Sequence, residues 1–236
     1  MAANTYFQFK QFTVHQERCA MKVSTEACLF GAWVPVAAVS RRVLDIGTGT
    51  GLLSLMLAQR SDVSIDAVEM DGEAAQQARQ NFEASLWADR LHLVHCNVLE
   101  WENTDCYDLI ISNPPFFTSS LKSQKSKNNL AKHDTGDFSK PRFAKKLLAL
   151  LSNEGLAYVL YPEAEAEEFV QCLAKVGLYA CTALVIRNQP DKAIFRMVLQ
   201  VSREKTSIDT EELCIRNGQE HTPEFVKLLR EYYLKY

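Results

Sequence analysis

Residues 42–69 read RVLDIGTGTGLLSLMLAQRSDVSIDAVE, and this stretch decides the fold. A short apolar run, RVLDI, meets three alternating glycines, then LLSLMLAQR with helical periodicity, then a second apolar run that ends on Glu69. The alternation continues outward: EAAQQARQNFEASL, LHLVHC, YDLIIS, FAKKLLALL, GLAYVLYP and EAEEFVQCLAKV. Strands that are apolar throughout, each separated by a helix, belong to a parallel sheet covered on both faces. The expected fold is therefore α/β, doubly wound, with a mostly parallel seven-stranded sheet. The last two apolar runs, ACTALVIR and IFRMVLQV, are separated only by NQPDK at 188–192, too short for a crossover helix, so they form an antiparallel hairpin.

Residues 1–41 precede the first core strand as an N-terminal extension. Phe7, Phe9, Phe12 and Val14 point to an extended segment, and Thr25 to a cap for a helix over Glu26–Trp33. At the other end Thr222 reads as an N-cap and Pro223 as the first helical residue. Phe225, Leu228, Leu229, Tyr232, Tyr233 and Tyr236 then fall on one helix face that packs on the sheet.

The chain has 236 residues, 47% apolar and 23% charged, which fits a single domain spanning 1–236 that buries its own core. Collagen-like and disordered readings are excluded. No apolar run approaches the ~20 residues that cross a bilayer, and the N-terminus lacks the basic flank and apolar stretch of a signal peptide, so the chain reads as cytoplasmic. Seven scattered cysteines without a C-x-x-C pair argue against a disulfide scaffold or a zinc cluster. His92 and His95, three apart on a strand, face opposite sides, and no metal is expected.

The net charge of −3 hides an asymmetry: from Thr118 to Lys146 there are eight Lys/Arg and two Asp, a local +6, while the remainder is −9. TSSLKSQKSKNN (118–129) opens this basic segment, 118–146, which reads as a surface loop inserted directly after NPPF.

Gly47, Gly49 and Gly51 sit between a strand and a helix, where a ligand meets the carboxyl end of an open sheet; glycines there allow close backbone approach and expose amides. A dinucleotide fingerprint requires glycine at 52, which is Leu52, so the spacing speaks against a nicotinamide cofactor. Glu69, eighteen residues after Gly51, is placed to accept the ribose hydroxyls of an adenosine-type cofactor. Asp45 through Gly51 together with Glu69 resemble the class I methyltransferases that use S-adenosylmethionine. The resemblance implies that Asp45, Gly47, Gly49 and Gly51 frame the methionine and ribose moieties, that Glu69, with Met70 beside it, grips the ribose, and that Asn97 and Val98 border the adenine. Asn97 stands where that family usually has Asp, and a neutral amide can still accept from the adenine amino group.

YDLIIS ends in Asn113-Pro114-Pro115-Phe116 at the same sheet edge. Two prolines after a strand fix a rigid turn and forbid further ladder pairing. The Asn113 side-chain carbonyl and the Pro114 backbone carbonyl then form a fixed pair of acceptors, suited to the two hydrogens of a planar exocyclic amine. They localise its lone pair, and Phe116, with Phe117 and Pro115, lines the target base once it is turned out of its stack. In the resembling family this motif marks amino-methyltransferases acting on adenine N6, cytosine N4, guanine N2 or protein glutamine.

FQFKQF (7–12), AMKVSTEACLFGAW (20–33), the glycine loop, SNPPFF, Ala131-Lys132-His133 and EYYLKY resemble, over essentially the whole chain, the bacterial valine-tRNA adenine-N6 methyltransferases. Lys132 stands where that family often has Arg, which keeps charge and loses the guanidinium fork. The resemblance implies methylation of the adenosine 3′ of the anticodon, with Lys22 and Thr25 near the methionine end of the cofactor; separately, a monomer is expected. Lys122, Lys125, Lys127, Lys132 and His133 are the candidate tRNA contacts, His133 without an acid–base role. The alternatives are a protein glutamine-N5 or rRNA guanine-N2 methyltransferase, a non-catalytic RNA-binding module, and a nicotinamide oxidoreductase.

Overall fold

A computed structural model describes residues 4–37, 40–115 and 138–236. The chain opens with a small antiparallel pair, β1 (Tyr6–Gln8) and β2 (Thr13–His15), followed by α1 (Thr25–Trp33). The cap of α1 is Ser24, whose hydroxyl accepts from Ala27 N–H; Thr25 is instead its first helical residue. The central elements follow as β3 (Arg42–Ile46), α2 (Leu52–Arg60), β4 (Ser64–Glu69), α3 (Gly72–Glu83), β5 (Leu91–His95) and β6 (Tyr107–Ser112). Then come α4 (Lys140–Leu150), β7 (Leu151–Tyr161), α5 (Glu163–Lys175), β8 (Tyr179–Arg187), β9 (Ile194–Ser202), β10 (Glu211–Cys214), the short pair β11 (Arg216–Asn217) and β12 (Glu220–His221), and α6 (Pro223–Leu229).

The main sheet has the order β10-β8-β9-β7-β6-β3-β4-β5. From β3 the chain moves outward through β4 and β5, then returns to the other side of β3 for β6 and β7. The reversal puts a topological switch point between the carboxyl ends of β3 and β6, where an open α/β sheet has its ligand crevice. β8 and β9 form the expected antiparallel hairpin, with β9 also antiparallel to β7. Among the described residues the main sheet has eight strands rather than seven, because β10 adds in parallel to β8.

Two cores cover the sheet. One joins α1, α2, α3 and α6 to it through Phe30, Leu55, Met56, Phe82, Leu109, Leu160 and Phe225; the other seats α4 and α5 through Leu44, Ile110, Phe143, Leu147, Tyr161 and Phe169. α4 begins at Lys140, so residues 140–146 are helix and not the end of a basic loop. Phe143, Ala144, Leu147 and Leu150 recur at helical spacing and are buried, and Pro141 sits in the first turn.

α6 ends at Leu229, shorter than the aromatic stripe suggests. Thr222 caps it as expected, but the carbonyls beyond its end are taken by Lys10, whose N–H donates to Tyr232 O and whose ammonium donates to Arg230 O and Tyr236 O. Tyr232 and Tyr233 still join the core from this turn, and Phe9 bridges to Tyr233. No helix among the described residues is long and apolar enough to cross a membrane, and none of their His, Cys, Asp and Glu cluster as a metal site.

Candidate active site

β3 delivers Asp45 fully buried beneath the glycine turn. Its Oδ2 accepts the hydroxyls of Thr48 and Ser54, each at 2.7 Å, while Oδ1, also buried, makes no hydrogen bond. Burial is the main reason its carboxyl is pushed up to about 6, opposed by the Thr48 and Ser54 bonds. The turn itself is anchored at its start, where Gly47 N–H and Thr48 N–H both donate to Val68 O at 2.8 and 3.1 Å.

The three glycines have left-handed φ of +72°, +56° and +83°, but for two different kinds of site. A Cβ on Gly47 or Gly49 meets nothing within 4 Å, so the space over this part of the turn is open. A Cβ on Gly51 lies 2.4 Å from Phe82 Cε1, so Gly51 exists to let α3 pack against the start of α2.

Glu69, at the end of β4, is 9% exposed. Its Oε2 accepts Gly49 N–H at 2.9 Å, and its Oε1 accepts the N–H groups of Met70 and Asp71 at 2.8 and 2.9 Å. A carboxylate offers about four acceptor sites, so one remains for a ribose hydroxyl and a second opens only when the Gly49 bond yields. Met70 is 39% exposed at the rim. Asn97 turns its Oδ1 onto Leu99 N–H at 3.0 Å, which leaves its amide NH2 and one lone pair, and Val98 is buried behind it. Lys22 and Thr25 are exposed, with the Lys22 ammonium donating to Asn4 O at 3.0 Å.

Across the switch point, Ser112 closes β6 by donating to Ile46 O at 2.8 Å, which locks the ends of β6 and β3 together. Asn113 follows directly. It is half-buried, and its Oδ1 is buried with no partner among the described residues; Pro114 is buried and Pro115 exposed. A buried amide oxygen left without a donor is costly, about 1–3 kcal/mol, and marks a place where a ligand donor belongs. Phe116, Phe117, Lys122, Lys125, Lys127, Lys132 and His133 lie outside the described residues. Two cations counted in the basic segment face inward: Lys140 is held between Glu165 and Glu168, and Lys146 donates to Trp101 O at 2.9 Å.

Sequence reasoning missed the residues that hold the motif residues in place. Thr48 and Ser54 grip Asp45, and Ser112 ties two strand ends. Gln77 and Asn81 were missed too; the signal for them is that they interrupt an otherwise apolar stripe, both buried on the inward face of α3 with Ala74, Ala78 and Phe82. The site therefore combines an open glycine turn with a buried carboxylate beneath it, an acidic strand end, and an unpaired amide carbonyl on the neighbouring strand.

Residues 25–135 match the family model described as methyltransferase small domain. The chain is 43% identical over 243 residues to a tRNA1(Val) (adenine(37)-N6)-methyltransferase of Dyadobacter fermentans, covering 100% of both chains. Proteins of the same name from Trichodesmium erythraeum and Yersinia pestis are 41% and 38% identical, covering 98% of this chain and 98% and 94% of theirs. Among solved structures, an Agrobacterium tumefaciens protein described as a predicted O-methyltransferase superposes with a TM-score of 0.67 at 16% identity, covering 87% of this chain and 95% of that one. The glycopeptide N-methyltransferase MtfA, complexed with S-adenosylmethionine, gives 0.55 at 11% identity, covering 76% and 93%. Identities this low speak for the fold alone.

Proposed function

Because the chain belongs to the family of tRNA1(Val) (adenine(37)-N6)-methyltransferases, we propose that it transfers a methyl group from S-adenosylmethionine to N6 of the adenosine 3′ of the anticodon in valine tRNA. The observation that carries this reading is the buried, unpartnered Asn113 Oδ1 at the end of β6, across the switch point from the glycine turn.

The residues fit the cofactor. Open space over Gly47 and Gly49 leaves their backbone accessible, and the buried Asp45 Oδ1 is a second acceptor without a donor. Gly47, Gly49 and Gly51 would frame it over Asp45, Glu69 with Met70 would hold the ribose, Asn97 and Val98 would border the adenine, and Lys22 and Thr25 would lie toward the methionine end. When bound, S-adenosylmethionine supplies an electrophilic methyl on a positively charged sulfur.

Asn113 and Pro114 do the remaining work on the substrate amine. The lone pair of an adenine amino group is delocalised into the ring. Two carbonyl acceptors on its two hydrogens would draw the nitrogen toward tetrahedral geometry and localise the lone pair with which it would take up the methyl group. The product nitrogen then releases one proton to water, so no strong base is needed. Preorganisation and in-line positioning supply the rate. Phe116 and Phe117 stack on the extruded base beside Pro115, while Lys122, Lys125, Lys127, Lys132 and His133 meet the RNA backbone. We take the protein to act as a single-domain, cytoplasmic monomer.

Transfer of labelled methyl groups to total RNA from a strain lacking this protein, followed by nucleoside analysis, tests the reading. Label in N6-methyladenosine of valine tRNA is expected. Label in N2-methylguanosine, in protein glutamine or in neither RNA nor protein overturns it.

A further inference from the structure

Glu73, Gln77 and Asn81 are spaced by four along α3 and so form one ridge of that helix. The segment after β2 runs along this ridge. Arg18 reaches Gln76 and lies 3.8 Å from Glu73, and Arg18 N–H donates to Gln77 Oε1 at 3.4 Å. At the far end of the ridge Asn81, 1% exposed, pairs with His15 as a strand neighbour does: Oδ1 accepts His15 N–H at 3.0 Å and Nδ2 donates to His15 O at 2.9 Å. The second Nδ2 hydrogen goes elsewhere, to Thr50 O at 2.8 Å, inside the glycine turn.

One buried amide therefore joins three pieces of chain: the N-terminal segment, α3, and the turn between β3 and α2. We propose that Asn81 is a positioning residue for the cofactor, holding the 47–51 turn through Thr50 and making the set of that turn depend on the docking of residues 15–18 along α3. Three features support it. Thr50 is flanked by Gly49 and Gly51, whose left-handed backbones leave the turn few side chains to brace it. Among the described residues its carbonyl accepts from Asn81 alone, whereas the start of the turn is fixed independently on Val68 O. Finally, the Cys19 thiol is raised by burial and by the Glu69 and Asp71 carboxylates, so the segment beyond Arg18 runs close to the same acidic strand end.

The inference rests on S-adenosylmethionine being the ligand of the turn, and the test separates the two. Asn81→Asp keeps the acceptor for His15 N–H and replaces the donor by an oxygen facing two carbonyls. Calorimetry with S-adenosylmethionine, without RNA, should show binding weakened by about tenfold or more, equivalent to ~1.4 kcal/mol. At saturating cofactor kcat should stay within about threefold of the native value, so that the loss appears in the KM for cofactor. Hydrogen exchange should show residues 4–24 protected by the cofactor in the native protein and not in the variant. If Asn81→Asp fails to fold by circular dichroism, Asn81→Ser takes its place in the same measurements. A folded variant that binds the cofactor as the native protein does, with only its Tm lowered, overturns the inference and leaves the proposed function standing. A native protein that does not bind S-adenosylmethionine overturns both.

Discussion

Glu69 holds Gly49: the carboxylate at the end of β4 accepts the glycine N–H at 2.9 Å, so the acidic strand end and the glycine turn are one hydrogen-bonded unit before any ligand arrives. Glu69→Gln retains a single carbonyl to serve three N–H groups and turns an NH2 toward the others. Loss of charge-assisted bonds of this kind is worth about 1.5–3 kcal/mol, so cofactor affinity should fall by roughly tenfold to a hundredfold, read by calorimetry. An unchanged dissociation constant would remove Glu69 from the site.

Asn113→Ala deletes an acceptor that nothing among the described residues satisfies. Folding should not suffer, and Tm should hold or rise slightly. Turnover should drop by about 10²–10³, the usual loss for one preorganised polar group, while the cofactor dissociation constant moves little. A variant with native turnover would leave the amine-sharpening role without support.

Gly51→Ala and Gly47→Ala separate two uses of glycine. At Gly51 a methyl strikes Phe82 and the backbone is left-handed, so overpacking of about 1–3 kcal/mol adds to about 1–2 kcal/mol of backbone strain. A loss of that size lowers Tm by roughly 5–15 °C in a chain of this length. Gly47→Ala carries the backbone strain alone and should lose less stability, with its main effect on cofactor binding. Thermal scans of both variants check the order.

Asp45 predicts a pH signature. Its carboxyl titrates at about 6 in the folded protein against an ordinary value of 3.8, so the folded state binds more protons between about pH 4 and 6. Stability attributable to this residue therefore falls as pH rises through that window, and the burden, ~3 kcal/mol, is fully present above it. Asp45→Asn lacks the titration. Relative to the native protein it should gain stability between pH 4 and pH 7, measured by denaturant unfolding at each pH. A pH-independent difference would contradict the assignment.

Lys122, Lys125 and Lys127 replaced together by Ala should weaken tRNA binding and flatten its dependence on salt by roughly 2 in log–log slope, at 0.7–0.9 per phosphate contact. Lys140→Ala should leave that slope alone, because its ammonium already sits between Glu165 and Glu168. Filter binding across a salt series distinguishes the two.

Much of the architecture was legible because it is local. Each central strand is apolar throughout and each helix carries its own stripe, and Asp45 to Gly51, Glu69 and Asn113 to Pro115 are chemistry compressed into a few adjacent residues. What escaped depends on distant partners. β10 has one buried side chain, Leu213, and is a strand only because β8 offers it an edge. α6 stops where Lys10, 220 residues away in sequence, claims the carbonyl of Arg230. Asn81 reads as one polar residue on a helix until His15 and Thr50 arrive from either side of the chain.

The junction between the two ends of the chain has a bearing on biosynthesis. Lys10 finds the carbonyls of Arg230, Tyr232 and Tyr236, and Phe9 bridges to Tyr233, contacts that close a loop of more than 200 residues. The glycine turn and its flanking strands can assemble on the nascent polypeptide, and His15 can dock on α3, but the anchorage at Phe9 and Lys10 waits until residues 230–236 have been made. Truncated translation products would thus keep most of the sheet and lose the anchorage of the segment that borders the catalytic edge.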